Sequence, residues 1–235
     1  MNSGLRFDQT VRLRLSPWIG RDIKVLEAGC GARSSVEFGD RAYVVGLDID
    51  EAAVAKNKRL DEALVGDVET YPLPAETFDL ICCRFVLEHL SDPERALANM
   101  RRALKPGGWL MLMFPNRWSL KGMVARLTPH SLHVLGYRTV FGKALATPYE
   151  TRFARMVSPE GIRQFALREG LRVVTLEAHP GDWDWLLRKH APVLGRLLLL
   201  AERLVQILTL GRVNPQQREF IAILADSRPG SVASV

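Results

Sequence analysis

The residues with the clearest chemical use are acids and glycines that follow short apolar runs. Val25-Leu26-Glu27-Ala28-Gly29-Cys30-Gly31 carries one such run into a Gly-x-Gly turn. Glycines there let the main chain take positive φ and come close to a ligand. Val45-Gly46-Leu47-Asp48 ends a second run in a carboxylate, which can accept hydrogen bonds from both hydroxyls of a ribose. Gly66-Asp67-Val68-Glu69 offers another acid, able to accept from an exocyclic amine. Phe78-Asp79-Leu80-Ile81 is followed by Leu87-Glu88-His89-Leu90 and then by Leu104-Lys105-Pro106-Gly107-Gly108. Each of these alone is weak: Gly-x-Gly is common in tight turns, and a lone Asp48 or Asp67 reads as a turn residue. Asp50 reads as the N-cap of a helix opening at Glu51. Their joint order along the chain carries the weight.

The elements that must position them alternate. An imperfect amphipathic helix spans Leu5 to Ile19, closing near Ser16-Pro17. Strands are expected at Lys24–Ala28, Ala42–Asp48, Ala63–Asp67, Phe78–Cys83 and Trp109–Phe114. Between them lie a short helix over Arg33–Phe38, a polar-faced helix over Glu51–Asp61, and a helix from Asp92-Pro93 to Leu104. The last opens with an N-cap carboxylate and a proline at its first position. After Asn116 the rhythm breaks until Ser158-Pro159-Glu160 opens another helix, followed by strands at Leu171–Leu176 and Arg218–Ala225. Short apolar strands alternating with helices imply an α/β fold, a Rossmann-like three-layer sandwich around a mostly parallel seven-stranded sheet with a partly helical lid. In such a sheet ligands bind at the carboxyl ends of the strands, where all the acids and glycines above fall.

Bulk composition narrows the class. The chain has 235 residues, 47% hydrophobic and 25% charged, which does not describe disorder. It is read as one domain over residues 1–235, with a cofactor-binding half over 1–116 and substrate or lid insertions at 117–157 and 178–214. A net charge of +6 leaves a polyanion partner open, but Lys and Arg are spread along the chain and form no dense run. Cys30, Cys82 and Cys83 form no Cys-x-x-Cys, so neither a disulfide framework nor a zinc cluster is suggested, and no metal site is expected. A reducing, cytoplasmic setting fits this. Met1 to Asp22 carries Arg6, Asp8, Arg12 and Arg14, unlike the apolar core of a secretory leader.

Taken together, residues Val25 to Asn116 resemble the S-adenosylmethionine (SAM)-binding domain of the class I methyltransferases, in the broad branch that includes the ubiquinone-biosynthesis enzymes. The resemblance implies an enzyme with SAM as cofactor and S-adenosylhomocysteine as product. It implies cofactor contacts from Glu27, Gly29, Gly31, Asp48, Ile49, Asp67, Val68, Cys83 and Arg84. Glu27 and the glycines would lie beside the methionine part, Asp48 would hold the ribose, and Asp67 with the Val68 amide the adenine. Cys83 and Arg84 would lie near the sulfonium. One departure stands out: Ala32-Arg33 follows Gly31 where the family has a third glycine, and Arg33 would either crowd the loop or reach the SAM carboxylate. A dinucleotide cofactor fits less well, because Ser34 occupies the last small position of Gly-x-Gly-x-x-Gly.

The implied reaction is an SN2 attack on the SAM methyl, catalysed largely by alignment and desolvation. An oxygen acceptor would also gain from a base. His89 is the candidate, set against a structural role for the same histidine. Asn116, Tyr149 and Arg152 are the candidate substrate contacts. His130 and His133, three residues apart, are read as lid or surface residues and not as a metal pair.

Trp185 to Leu210 is unusually apolar for a helix yet interrupted by Arg196, Glu202 and Arg203, so a spanning role is not expected. Its apolar arc exceeds one buried face. Packing on the domain, a homodimer interface, a wall for a lipidic acceptor and peripheral membrane contact are all open. The expected function is methyl transfer to a small apolar or lipid-like acceptor at oxygen. The alternatives are a non-catalytic SAM-fold binding protein, or a protein or nucleic-acid methyltransferase. Nucleic acid is disfavoured because Cys83-Arg84-Phe85 stands where an Asn-Pro-Pro-Tyr-type tetrad would clamp a flipped base.

Overall fold

A computed structural model describes residues 7–34, 36–119, 122, 151–152, 154–180, 192–211, 214–215 and 217–229. The strands are β1 (Ile23–Ala28), β2 (Ala42–Asp48), β3 (Glu62–Val65), β4 (Phe78–Arg84), β5 (Leu104–Pro115), β6 (Leu171–His179) and β7 (Glu219–Asp226). They form one seven-stranded sheet in the order β3-β2-β1-β4-β5-β7-β6. Pairing is parallel from β3 through β5, while β7 runs antiparallel to both β5 and β6. The expected Rossmann-like α/β sandwich is thus present. The strand order reverses between β1 and β4, and the crevice above that point is where an open parallel sheet binds ligands.

Burial on both faces explains the apolar strands. In β1, Val25 packs on one side with Val11, Leu15 and Trp18, while Leu26 packs on the other with Leu97, Met100 and Phe165. The first layer holds α1 (Phe7–Arg14) and a 3-10 turn at Ser16–Trp18, and the second holds α3 (Pro93–Ala103) and α4 (Pro159–Arg168). Trp18 is fully buried and meets Trp109 edge-on, with ring centroids 5.6 Å apart. The Asp92 side chain caps α3 by accepting from the Arg95 amide, and Ser158 caps α4 by accepting from Gly161.

Several elements differ from expectation. The helix expected over Glu51–Asp61 is one turn, α2 (Glu51–Val54), capped by Asp50 as read from the sequence. Beyond it Asn57 and Asp61 turn their side chains to main chain elsewhere: the Asn57 amide donates to the Gly31 carbonyl, and Asp61 accepts from the Val44 amide. Such side-chain bonds compete with helix propagation. No helix forms among the described residues of 33–38, where Ser34 turns to Glu27 and Val36 and Phe38 enter the core. β6 runs three residues further than expected, pairing Ala178 with Phe220 and His179 with Glu219, so these two residues belong to the sheet and not to the 178–214 insertion. Within that insertion the described helix is α5 (Pro192–Leu208). Most of the 117–157 insertion, with Tyr149, His130 and His133, lies outside the described residues.

Candidate functional site

The loop after β1 is built around two glycines that must be glycine for different reasons. Gly29 has φ +73°, and a Cβ there would sit 2.1 Å from Val86 Cγ2. Gly31 has φ +53°, and a Cβ there would meet nothing within 4 Å. Gly29 is therefore fixed by packing as well as dihedral, and Gly31 by dihedral alone, its outer side open. The Gly29 amide donates to the Leu47 carbonyl at 2.7 Å, which holds the turn against the end of β2.

Asp48 joins three loops. One carboxylate oxygen accepts from the Gly31 amide at 2.8 Å and the other from the Asp50 amide at 3.0 Å, while its carbonyl accepts from the Gly66 amide at 2.9 Å. The loops after β1, β2 and β3 thus meet at one half-buried acid. Each carboxylate oxygen keeps a second lone pair for a hydroxyl. Ile49 beside it is 70% exposed, an apolar surface held at the rim with no core to cover it. Asp67 accepts from the Glu69 amide at 2.8 Å, a local turn that sets the carboxylate at the end of β3, and Val68 is buried in the core.

The cleft at the β1–β4 switch point measures about 580 Å³. It is bounded by Glu27 to Cys30, by Arg33, Ser34 and Arg59, and by Cys82, Arg84 and Phe85 at the end of β4. Its electrostatics are mixed: a buried carboxylate faces three guanidinium groups. Glu27 accepts from the Ser34 hydroxyl at 2.5 Å, and Arg59 pairs with Glu37. Such a set fits the zwitterionic amino-acid end of SAM, with its ammonium toward Glu27 and its carboxylate toward an arginine. Phe85 sits at φ +53° directly after β4, an uncommon conformation for an aromatic residue, held by the hydrogen bond its amide donates to the Met113 carbonyl at 2.8 Å. Strained positions of this kind gather at ligand sites.

The cleft does not receive the Cys83 side chain, which points the other way into the core and is fully buried; Cys82, one residue earlier, lines it instead. A period of two along β4 makes the difference. Burial, then the charges of Asp48 and Glu27, pushes the Cys30 thiol up to about 12, and burial also raises Cys82 and Cys83. All three are neutral thiols, unsuited to nucleophilic work. Among the described residues no group of His, Cys, Asp or Glu could hold a metal ion.

His89 lies in a 3-10 turn (Leu87–His89) after β4, with Nε2 3.8 Å from the Glu88 carboxylate. It is not among the residues bounding the cleft. Glu88 is buried, and its carbonyl accepts from the Arg152 amide at 2.7 Å, so the main chain brings Arg152 to this turn. Asn116 is one strand away, directly after β5. Its amide group donates to the Gln217 carbonyl and accepts from the Trp118 amide, tying β5 to the start of β7. It lines a second cleft of about 450 Å³ with Trp118, Ser158, Arg163 and Phe220. The Arg117 guanidinium lies 5.5 Å from the Trp118 ring centre.

Sequence reasoning did not find Asn57, which accepts from Ser34 and donates to Gly31 from 26 residues away. It left Arg59 out as well. Neither has a local signal, because only the return of the chain after α2 brings them to the loop.

Comparison with known proteins gives the same picture. A methyltransferase-domain family model matches residues 26–112. The chain is 29% identical over 161 residues to the ubiquinone biosynthesis O-methyltransferase of Coxiella burnetii (strain RSA 493 / Nine Mile phase I), covering 65% of this chain and 64% of that protein. It is 32% identical over 179 residues to the ubiquinone/menaquinone biosynthesis C-methyltransferase UbiE of Enterobacter sp. (strain 638), covering 71% and 63%. The chain thus spans a little under two thirds of the length of these relatives. Among solved structures, a SAM-dependent methyltransferase from Aquifex aeolicus superposes with a TM-score of 0.52 at 15% identity, covering 96% of this chain and 92% of that one. Phosphoethanolamine N-methyltransferase 2 from Haemonchus contortus, in complex with SAM, gives 0.58 at 15% identity over 94% and 52%. At such identities these structures speak for the fold. Ordered motifs, sheet topology and relatives agree: residues 26–112 match a methyltransferase domain, the chain has the fold of the class I SAM-dependent methyltransferases, and it is similar to ubiquinone-biosynthesis methyltransferases.

Proposed function

We propose that this chain, acting as one domain, is a SAM-dependent methyltransferase that methylates a small, apolar or lipid-like acceptor at oxygen. The observation that carries the reading is the meeting of Gly31, Asp48 and Gly66 beside a cleft that contains Glu27. In this reading Glu27 and Arg33 hold the two charges of the methionine end, and Gly29 and Gly31 let the loop close on it. Asp48 takes the ribose, Ile49 flanks the adenine, and Asp67 with the Val68 amide holds its edge. Arg84 borders the reacting end, with Cys83 contributing main chain only. When bound, SAM supplies an activated methyl group with a neutral thioether as leaving group, so the protein has only to align and desolvate the acceptor.

For an oxygen acceptor, His89 is the proposed base, drawn toward the Glu88 carboxylate beside it. Asn116 and Arg152 are the proposed acceptor contacts, with Tyr149 in a segment outside the described residues. Relatives named for ubiquinone biosynthesis support a lipid-like acceptor, although one of them is named an O-methyltransferase and the other a C-methyltransferase. The apolar run around α5 supports peripheral contact with the cytoplasmic face of a membrane.

Calorimetry with S-adenosylhomocysteine tests the cofactor half. Asp48→Ala should weaken binding by about 1–3 kcal/mol, the value of hydrogen bonds to a charged group. Unchanged affinity removes Asp48 from the site. Transfer of labelled methyl from SAM to a prenylated phenol, compared with a tail-less catechol, tests the acceptor. Binding of SAM without transfer to any phenol would favour the non-catalytic reading, which the Ala32-Arg33 departure keeps in view.

A further inference from the structure

α5 (Pro192–Leu208) docks by an inner face and presents a different outer one. Inward, Gly195 is buried and Glu202 forms a buried ion pair with Arg218, the residue that leads into β7. Outward, Val193, Leu197, Leu200, Leu204, Ile207 and Leu208 are each between 57% and 73% exposed. At about 100° per residue these six fall within roughly 100° of arc, opposite Glu202. Apolar residues exposed singly are ordinary, but six gathered in one contiguous strip mark an interaction surface.

Charge decides the occupant. Arg196 and Arg203, both exposed, fall side by side on one flank of the strip, within about 40° of Ile207. The helix's one acid, Glu202, is on the buried side. A second copy packed antiparallel on this strip would set arginines against arginines. Packed in parallel, it would set Arg196 and Arg203 against Ala201 and Leu208. Neither arrangement supplies an acid. A bilayer with anionic headgroups supplies both a hydrocarbon boundary and phosphates at the right level. No helix among the described residues is long and apolar enough to cross a membrane, so contact would be in the plane of the surface.

We infer that α5 lies in the plane of an anionic bilayer, its Val193–Leu208 strip at the acyl boundary and Arg196 and Arg203 on the headgroup phosphates. This rests on the membrane contact proposed above and specifies its face, orientation and lipid class. The strip sits on the helix clamped to Arg218, whose carbonyl accepts from the Asn116 amide at 2.7 Å. The docking face is therefore tied directly to the end of β5 and the second cleft, so that a lipidic acceptor would reach the protein from the side that meets the bilayer.

The test is co-flotation of the full chain with vesicles of phosphatidylcholine alone and of phosphatidylcholine with one quarter phosphatidylglycerol. Binding to the anionic vesicles should exceed binding to the neutral ones by at least 10-fold and fall with salt. Leu200→Glu/Leu204→Glu, at exposed positions that leave folding intact, should abolish it. Arg196→Gln/Arg203→Gln should lower it roughly 10- to 30-fold on anionic vesicles and leave the neutral level unchanged. Wild-type protein that stays out of the floated fraction, or variants that bind like it, overturns the inference. So does sedimentation showing a dimer that Leu200→Glu/Leu204→Glu dissociates, which would make the strip a self-interface. S-adenosylhomocysteine affinity measured on the same samples separates failure of docking from failure of the methyltransferase reading.

Discussion

The two sides of the carboxyl rim are built by different means. On the β3-β2-β1-β4 side, short loops converge through main-chain bonds to one carboxylate: the Gly31 amide donates to Asp48, and the Gly66 amide donates to the same residue's carbonyl. Both of these partners of Asp48 lie one strand away in the sequence. On the β5-β7 side, the parts come from far along the chain. Asn116 bonds the Gln217 carbonyl, and Arg218 pairs with Glu202. The first arrangement suits a ligand that is the same throughout a family, since local loops hold fixed groups at fixed positions. The second suits a variable one, because the long connections are free to change while the clamp stays. Loops on a rigid scaffold are where such variation is tolerated.

Removing the clamp should have the largest effect. Glu202→Ala strips a carboxylate from a guanidinium that is 1% exposed, and should destabilise the protein by about 3–5 kcal/mol. Urea unfolding reads the loss. The affinity of the remaining folded protein for S-adenosylhomocysteine should be unchanged, and a fall would show that the two sides are coupled.

Next in size is Gly29→Ala, which puts a Cβ 2.1 Å from Val86 Cγ2 at φ +73° and should cost about 2–4 kcal/mol along with cofactor affinity. Gly31→Ala sharpens the contrast within one loop. It has positive φ and free space, so the dihedral alone should cost about 1–2 kcal/mol. Equal melting temperatures for the two variants would contradict the packing role given to Gly29.

The smallest effect expected is on pH dependence at the opposite end of the strands, where antiparallel β7 finishes. Asp226, at the end of β7, has a carboxyl that burial alone would raise. Hydrogen bonds from Arg228 and the charges of Arg101 and Arg228 outweigh that, so its pKa is lowered in the fold. A lowered folded value means that its contribution is complete above the unfolded carboxylate range and lost as pH falls through the folded value, below about 4. Urea midpoints from pH 7 to pH 3 should therefore drop less steeply for Asp226→Asn than for wild type. Parallel curves would show that Asp226 contributes nothing to acid sensitivity.

The meeting of the β1 and β2 loops was legible because it is local. A strand ending in Gly-x-Gly and the next ending in an acid 17 residues after Gly31 must fall side by side once the strands pair in parallel, as Glu27 with Gly46 and Ala28 with Leu47 do. Which thiol faces the cleft was not legible, because the apolar run Leu80-Ile81-Cys82-Cys83 has no alternation. Both faces of β4 are buried, and the pattern that would reveal the phase is absent. Helix lengths failed where polar side chains found distant main chain, as Asn57 did with Gly31.

The amino-acid sequence alone determined the sheet and which acids and glycines fall at its carboxyl rim, since strand periodicity and turn chemistry act over a few residues. Which way an apolar helix faces is another matter. The run from Val193 to Leu208 has an apolar arc wider than one buried face, and the sequence leaves open whether that arc turns inward or outward. Only the pairing of Glu202 with Arg218 turns it, because a buried carboxylate must meet its guanidinium, and that leaves the leucines and two arginines looking outward.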